Sequence, residues 1–94
     1  MELKQVEVFS ETSNYGIVRM PGRSFPGCVV QGDSLSILLS AAECVLDLAT
    51  QTGNEELVGE ATDLVESLAG RLAHYESVLK EHGIRLPYNR PTNT

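Results

Sequence analysis

Between Ser34 and Thr50 the apolar residues recur at helical spacing twice over. Leu35, Leu38, Leu39, Ala42, Leu46 and Ala49 make one stripe, and Ile37, Ala41, Cys44 and Leu48 make a second. Ser36, Ser40, Glu43, Asp47 and Thr50 leave only a narrow polar face. A helix this apolar has to be covered on two sides. One cover is expected from a sheet, and the other from a second helix or another copy of the chain. Gly32-Asp33-Ser34 supplies the start, because an Asp or Ser side chain accepts a hydrogen bond from an early backbone N–H. Gln51-Thr52-Gly53 supplies the end, with Gly53 suited to the left-handed conformation favoured at a helix C-terminus. Asn54 then caps a second helix, and Glu55 and Glu56 sit near the positive end of its dipole. Leu57, Ala61, Leu64, Leu68, Leu72, Tyr75 and Leu79 carry its apolar face towards His82 and Gly83. That spacing predicts a helix of about 28 residues, or about 42 Å, which outruns a small sheet, so its far end should project or pack on a partner. Gly59 and Gly70 inside it each cost roughly 1 kcal/mol relative to Ala. They are either tolerated or mark the close approach of another backbone.

The N-terminal third reads differently. Leu3 to Phe9 alternates apolar and polar residues, and Tyr15 to Met20 is β-branched and aromatic, so both read as strands. Ser10 to Asn14 is turn material between them. Pro21-Gly22-Arg23-Ser24-Phe25-Pro26-Gly27 interrupts any ladder with two prolines and two glycines. Cys28 to Gln31 makes a short third strand. The economical architecture is α+β: a small antiparallel three-stranded meander followed by a long antiparallel helical hairpin. With 94 residues the chain has room for one domain, taken as residues 1–88, with Leu86-Pro87-Tyr88 folding back and residues 89–94 as a flexible tail.

The formal net charge of −6 is unevenly placed. Glu43, Asp47, Glu55, Glu56, Glu60, Asp63, Glu66, Glu76 and Glu81 lie in the helical half against only Arg71 and Lys80. Duplex nucleic acid is therefore a poor partner, since phosphate binding needs clustered Lys and Arg. No apolar run approaches the ~20 residues of a membrane span, and no secretory leader precedes the first strand, so the expected location is cytoplasmic. Cys28 and Cys44 sit among apolar neighbours and read as two buried thiols in a reducing compartment, with a bridge between them the less favoured alternative. Two His and two Cys without ligand spacing make a metal site improbable, and no cofactor is implied.

A catalytic set is also missing. His74 and His82 have no acid partner, and Ser10, Ser13 and Ser24 have no paired base, so binding is expected rather than catalysis. The candidate ligand-binding residues cluster around the Pro/Gly loop. Arg19 and Arg23 can fork onto a phosphate or carboxylate, Ser24 can donate, and Phe25 or Tyr15 can stack on a base. Ser34 opens a helix N-terminus, a setting that favours anions, though Asp33 already brings a negative charge there. Arg71 and His74, with Ser77, lie on the outer face of the second helix and would complete such a site from a neighbouring protomer. The plainer reading makes Arg19 and Arg23 charge partners of Glu7 or Glu11, and Arg71 and His74 part of a solvated face.

Pro26-Gly27-Cys28-Val29-Val30-Gln31-Gly32-Asp33-Ser34-Leu35 resembles the signature of HicB-type antitoxin domains, in which strands lead through such a segment into a helix. Leu39, Ala42, Glu43 and Leu46 continue the likeness, and Tyr15 to Pro21 matches the preceding strand. The resemblance covers about residues 3–50. Beyond it the long second helix stands where that family has a fourth strand, and the appended DNA-binding segment has no counterpart. The whole chain also resembles a family of short uncharacterised bacterial and phage proteins that carry the Asn14-to-Arg19 and Gln31-to-Ser36 motifs. Two functions follow as expectations. The first is a non-enzymatic homo-oligomer that sequesters an anionic nucleotide-like small molecule, as a phage sponge for a bacterial immune signal would. The second, implied by the resemblance, is a HicB-like antitoxin or immunity module that neutralises a protein toxin.

Overall fold

The structure, a computed structural model, describes residues 1–12 and 15–89. Part of the first expected turn, Ser13 and Asn14, and residues 90–94 of the expected tail lie outside the described residues. The chain divides into two compact units, Met1–Gln31 and Gly32–Thr94.

The first unit is an antiparallel sheet with strand order β1-β2-β3, built from β1 (Glu7–Ser10), β2 (Ile17–Arg19) and β3 (Gly27–Cys28). The meander is as expected, but each strand is shorter than the sequence pattern suggests. Glu7 pairs with Arg19 and Val8 with Val18, and the register shifts around Phe9, so that Ser10 pairs with Ile17. Residues 3–6 therefore lack a partner strand, because β2 turns away immediately after Arg19. That turn runs from Met20 to Arg23. The Arg23 N–H donates to the Met20 carbonyl at 3.1 Å, and Gly22 takes a φ of 78°. Pro at the second position and a left-handed Gly at the third are the requirements of a type II turn. On the other edge Ile17 pairs with Cys28 and Val18 with Gly27, and the Val29 N–H adds one further bond to the Gly16 carbonyl.

The second unit is the helical hairpin of α1 (Gly32–Thr52) and α2 (Glu55–Glu81). α1 starts at Gly32, slightly earlier than expected, so Asp33 lies in the first turn and its carboxylate accepts the Ser34 N–H at 2.8 Å. At the connection Gly53 has a φ of 71°. Asn54 Oδ1 accepts the Leu57 N–H at 3.1 Å, which is the N-cap read from the sequence. Thr52 ties the turn by donating to the Ala49 carbonyl and accepting the Asn54 N–H. α2 ends in a Schellman arrangement: the Gly83 N–H bonds the Lys80 carbonyl and the Ile84 N–H the Leu79 carbonyl.

The core of this unit is Leu35, Leu39 and Leu72, with Val65, Leu68, Ala69, Tyr75 and Tyr88 packed around it. Leu72 is 1% exposed. Ala42, Ala49 and Ala61 line the seam nearer the turn, where small residues let the helices approach. At the other end the Tyr75 ring lies on Gly32, and a Cβ there would overlap it. The segment after α2 does fold back: the Tyr88 hydroxyl donates to Glu76 Oε2 at 2.7 Å.

One expectation is corrected. Cys28 and Cys44 are free and exposed rather than buried. Cys28 sits on the terminal strand of the sheet, and Cys44 belongs to the second stripe of α1, the one turned away from α2. Apolar neighbours along the chain do not imply neighbours in space. Among the described residues no helix is long and apolar enough to cross a membrane.

Candidate functional site

The β1–β2 register puts Arg19 directly opposite Glu7, and this decides what Arg19 does. Its guanidinium donates to Glu7 Oε2 at 2.9 Å through one terminal nitrogen and to the Ser24 carbonyl at 3.1 Å through the other. Its charged carbon stands 5.3 Å from the centre of the Phe9 ring, within range of a cation–π attraction. Only Nε is buried without a hydrogen-bond partner. Arg19 therefore braces the loop that follows β2, and the plainer of its two sequence readings is the one the geometry favours.

The turn itself offers more. Pro21 and Gly22 carry Arg23, Ser24 and Phe25 outwards, and Phe25 is 83% exposed. Arg23 has no ion pair among the described residues. The structure thus brings Arg19 and Ser24 into contact, with Arg23 and Phe25 adjacent on the same turn. Tyr15, just before β2, is 70% exposed.

The other candidates belong to the helical unit. Ser34 is half-buried in the first turn of α1, with its N–H taken by Asp33. Arg71 is held along its own helix by the Ser67 carbonyl at 3.0 Å and by the Ser67 hydroxyl. His74 is exposed. The outward face of α2 is otherwise acidic. Glu55, Glu56, Glu60, Asp63, Glu66 and Glu81 are all exposed, and none of them has an ion pair among the described residues. Gly59 and Gly70 lie on that same face, and a Cβ on either would meet nothing within 4 Å. Their use inside the helix is therefore not explained by packing among the described residues. No group of three or more His, Cys, Asp or Glu among the described residues could hold a metal ion.

A model of a protein family described as a family of unknown function, DUF6959, matches residues 1–88. The chain belongs to that family. The DUF6959 match takes in residues of both compact units. No curated protein and no solved structure matches the chain.

Sequence reasoning missed two contacts of the helical unit. Tyr75 against Gly32 and Tyr88 against Glu76 both depend on how far α2 overlaps α1, which periodicity does not encode. The Arg19–Glu7 pair was among the plainer sequence readings, since opposite charges at the facing ends of two paired strands invite it.

Proposed function

We propose that this DUF6959 protein is a non-enzymatic binding module that docks a basic protein surface onto the outward face of α2. The observation that carries the reading is the pair Gly59 and Gly70, set in open space among unpaired carboxylates. Each glycine costs roughly 1 kcal/mol of helix stability against Ala, and nothing among the described residues packs on either. Bare backbone on an outer helix face lets a partner approach closely. The surrounding Glu56, Glu60, Asp63 and Glu66 select for positive charge and against other acidic surfaces. An antitoxin or immunity role fits this surface and agrees with the HicB resemblance of residues 3–50.

The test is co-expression of the tagged chain with the products of neighbouring genes, followed by capture at moderate salt. One basic protein should be retained by the wild type and lost with Glu60→Lys/Asp63→Lys. Retention by the charge-reversed chain removes the reading.

A second reading keeps a specific observation in its favour. Arg23 has no ion pair among the described residues and shares an exposed turn with Ser24 and Phe25, a combination that suits an anionic nucleotide-like ligand. Sequestration of a bacterial immune signal is the corresponding role. It ranks second because Arg19 is already committed to Glu7 and Ser24. Calorimetry against a panel of cyclic and ADP-ribose-type nucleotides tests it, and the absence of heat with all of them ends it.

A further inference from the structure

Within the helical unit α1 is covered on one side only. Leu35, Leu39, Ala42 and Ala49 are buried. The second stripe is open: Ile37 is 70% exposed and Leu48 63%, Ala41 and Cys44 are also exposed, and Leu38 and Val45 beside the stripe are about half exposed. At 3.6 residues per turn the centre of the stripe Ile37, Ala41, Cys44, Leu48 lies roughly 150° around the helix from the buried one. We infer that the open face of α1 is a two-fold interface with a second copy of this chain, the two helices running antiparallel with Ala41 of each opposite Cys44 of the other.

Three observations point to a second copy rather than to another partner. The stripe Ile37, Ala41, Cys44, Leu48 has large residues at its ends, small ones in the middle, and the same spacing read in either direction. A two-fold axis requires that property, because each residue i meets j while j meets i. Centred between Ala42 and Glu43, the pairing also sets Ile37 against Leu48, so bulk falls outside and the helix axes close in at the middle.

The second observation is a shallow apolar hollow of about 200 Å³ lined by Val45, Leu48, Ala49, Thr52 and Leu57. In this pairing it lies at the level of Ile37 and Leu38 of the second copy. Symmetry fills the hollow of each copy in the same way.

The third is extent and charge. The exposed apolar residues run from Ile37 to Leu48, about three turns of α1. Glu43 and Asp47, the acids within the span, fall on the flank away from the stripe, so two acidic chains meet there without placing like charges face to face.

This interface is on α1 and involves the purified chain alone, so its failure and that of the α2 docking reading are separate results. Sedimentation equilibrium from about 1 to about 100 µM, the range for an interface of this size, should show a reversible dimer. Ile37→Glu/Leu48→Glu should sediment as a monomer with unchanged helical circular dichroism. A wild type that stays monomeric throughout, or a folded double variant that still dimerises, overturns the proposal. If the double variant loses its helicity, cross-linking decides. Mild oxidation of Ala41→Cys/Cys44→Ser mixed with the wild-type chain should give a covalent dimer whose linking peptide joins position 41 of one chain to Cys44 of the other, and failure to form that link overturns the register.

Discussion

The ring of Tyr75 fills the space in which a side chain at position 32 would begin, so α2 meets the start of α1 ring to backbone. The glycine before Asp33-Ser34 is thus required by the hairpin's own packing. Gly32→Ala should destabilise the protein by about 1–3 kcal/mol, the usual cost of inserting a methyl into filled space. Urea unfolding would measure it as a lower midpoint at unchanged slope. In a Tyr75→Ala background the same substitution should cost close to nothing, and a double-mutant cycle would read that coupling directly.

Arg19 should matter more to the sheet than the acid it pairs with. Glu7 is largely exposed, so Glu7→Gln is expected to cost at most about 1 kcal/mol. Arg19→Lys keeps the charge but loses the fork that spans Glu7 and the Ser24 carbonyl, and it weakens the stack on Phe9. Hydrogen exchange at the Ile17 and Val18 amides should accelerate more in the lysine variant than in the glutamine one.

Tyr88 is expected to hold the returning C-terminal segment by two separable means. Tyr88→Phe removes the donation to Glu76 and leaves the ring on the Leu35–Leu39–Leu72 cluster, for a loss of about 0.5–1.5 kcal/mol. Tyr88→Ala removes both and should cost clearly more. Thermal denaturation of the two variants side by side checks the order.

Gly59→Ala and Gly70→Ala should each raise stability by up to about 1 kcal/mol, since both sit in open space inside a helix. If the outer face of α2 receives a partner's backbone, the same variants bind that partner more weakly while melting higher. Capture assays and melting curves on one set of proteins separate the two effects.

Much of this fold is written in local patterns. The stripes of α1 and α2, the Gly53-Asn54 connection and the Gly83 stop each follow from residues within a turn or two of one another. The strand lengths are not local. Leu3 to Val6 alternates like a strand, yet it stays unpaired because Pro21-Gly22 diverts the chain that would have faced it. Cys28 and Cys44 misled for a related reason: the neighbours that bury a side chain come from other elements. At the candidate site the residues were identifiable as types, but whether Arg19 is spent or available depends on one register pair, Glu7 with Arg19. Gly59 and Gly70 were legible as anomalies, and only the empty space above them shows that no described residue accounts for them.

The two exposed thiols fall one in each compact unit, Cys28 in the sheet and Cys44 on α1. The chain therefore carries a built-in pair of attachment points for spectroscopic probes. Labels on the natural cysteines would act as a ruler between the units with no engineered residue. Their relative reaction rates would also serve as an internal gauge of self-association, with Cys28 the steady reference and Cys44 the thiol that slows as copies pair.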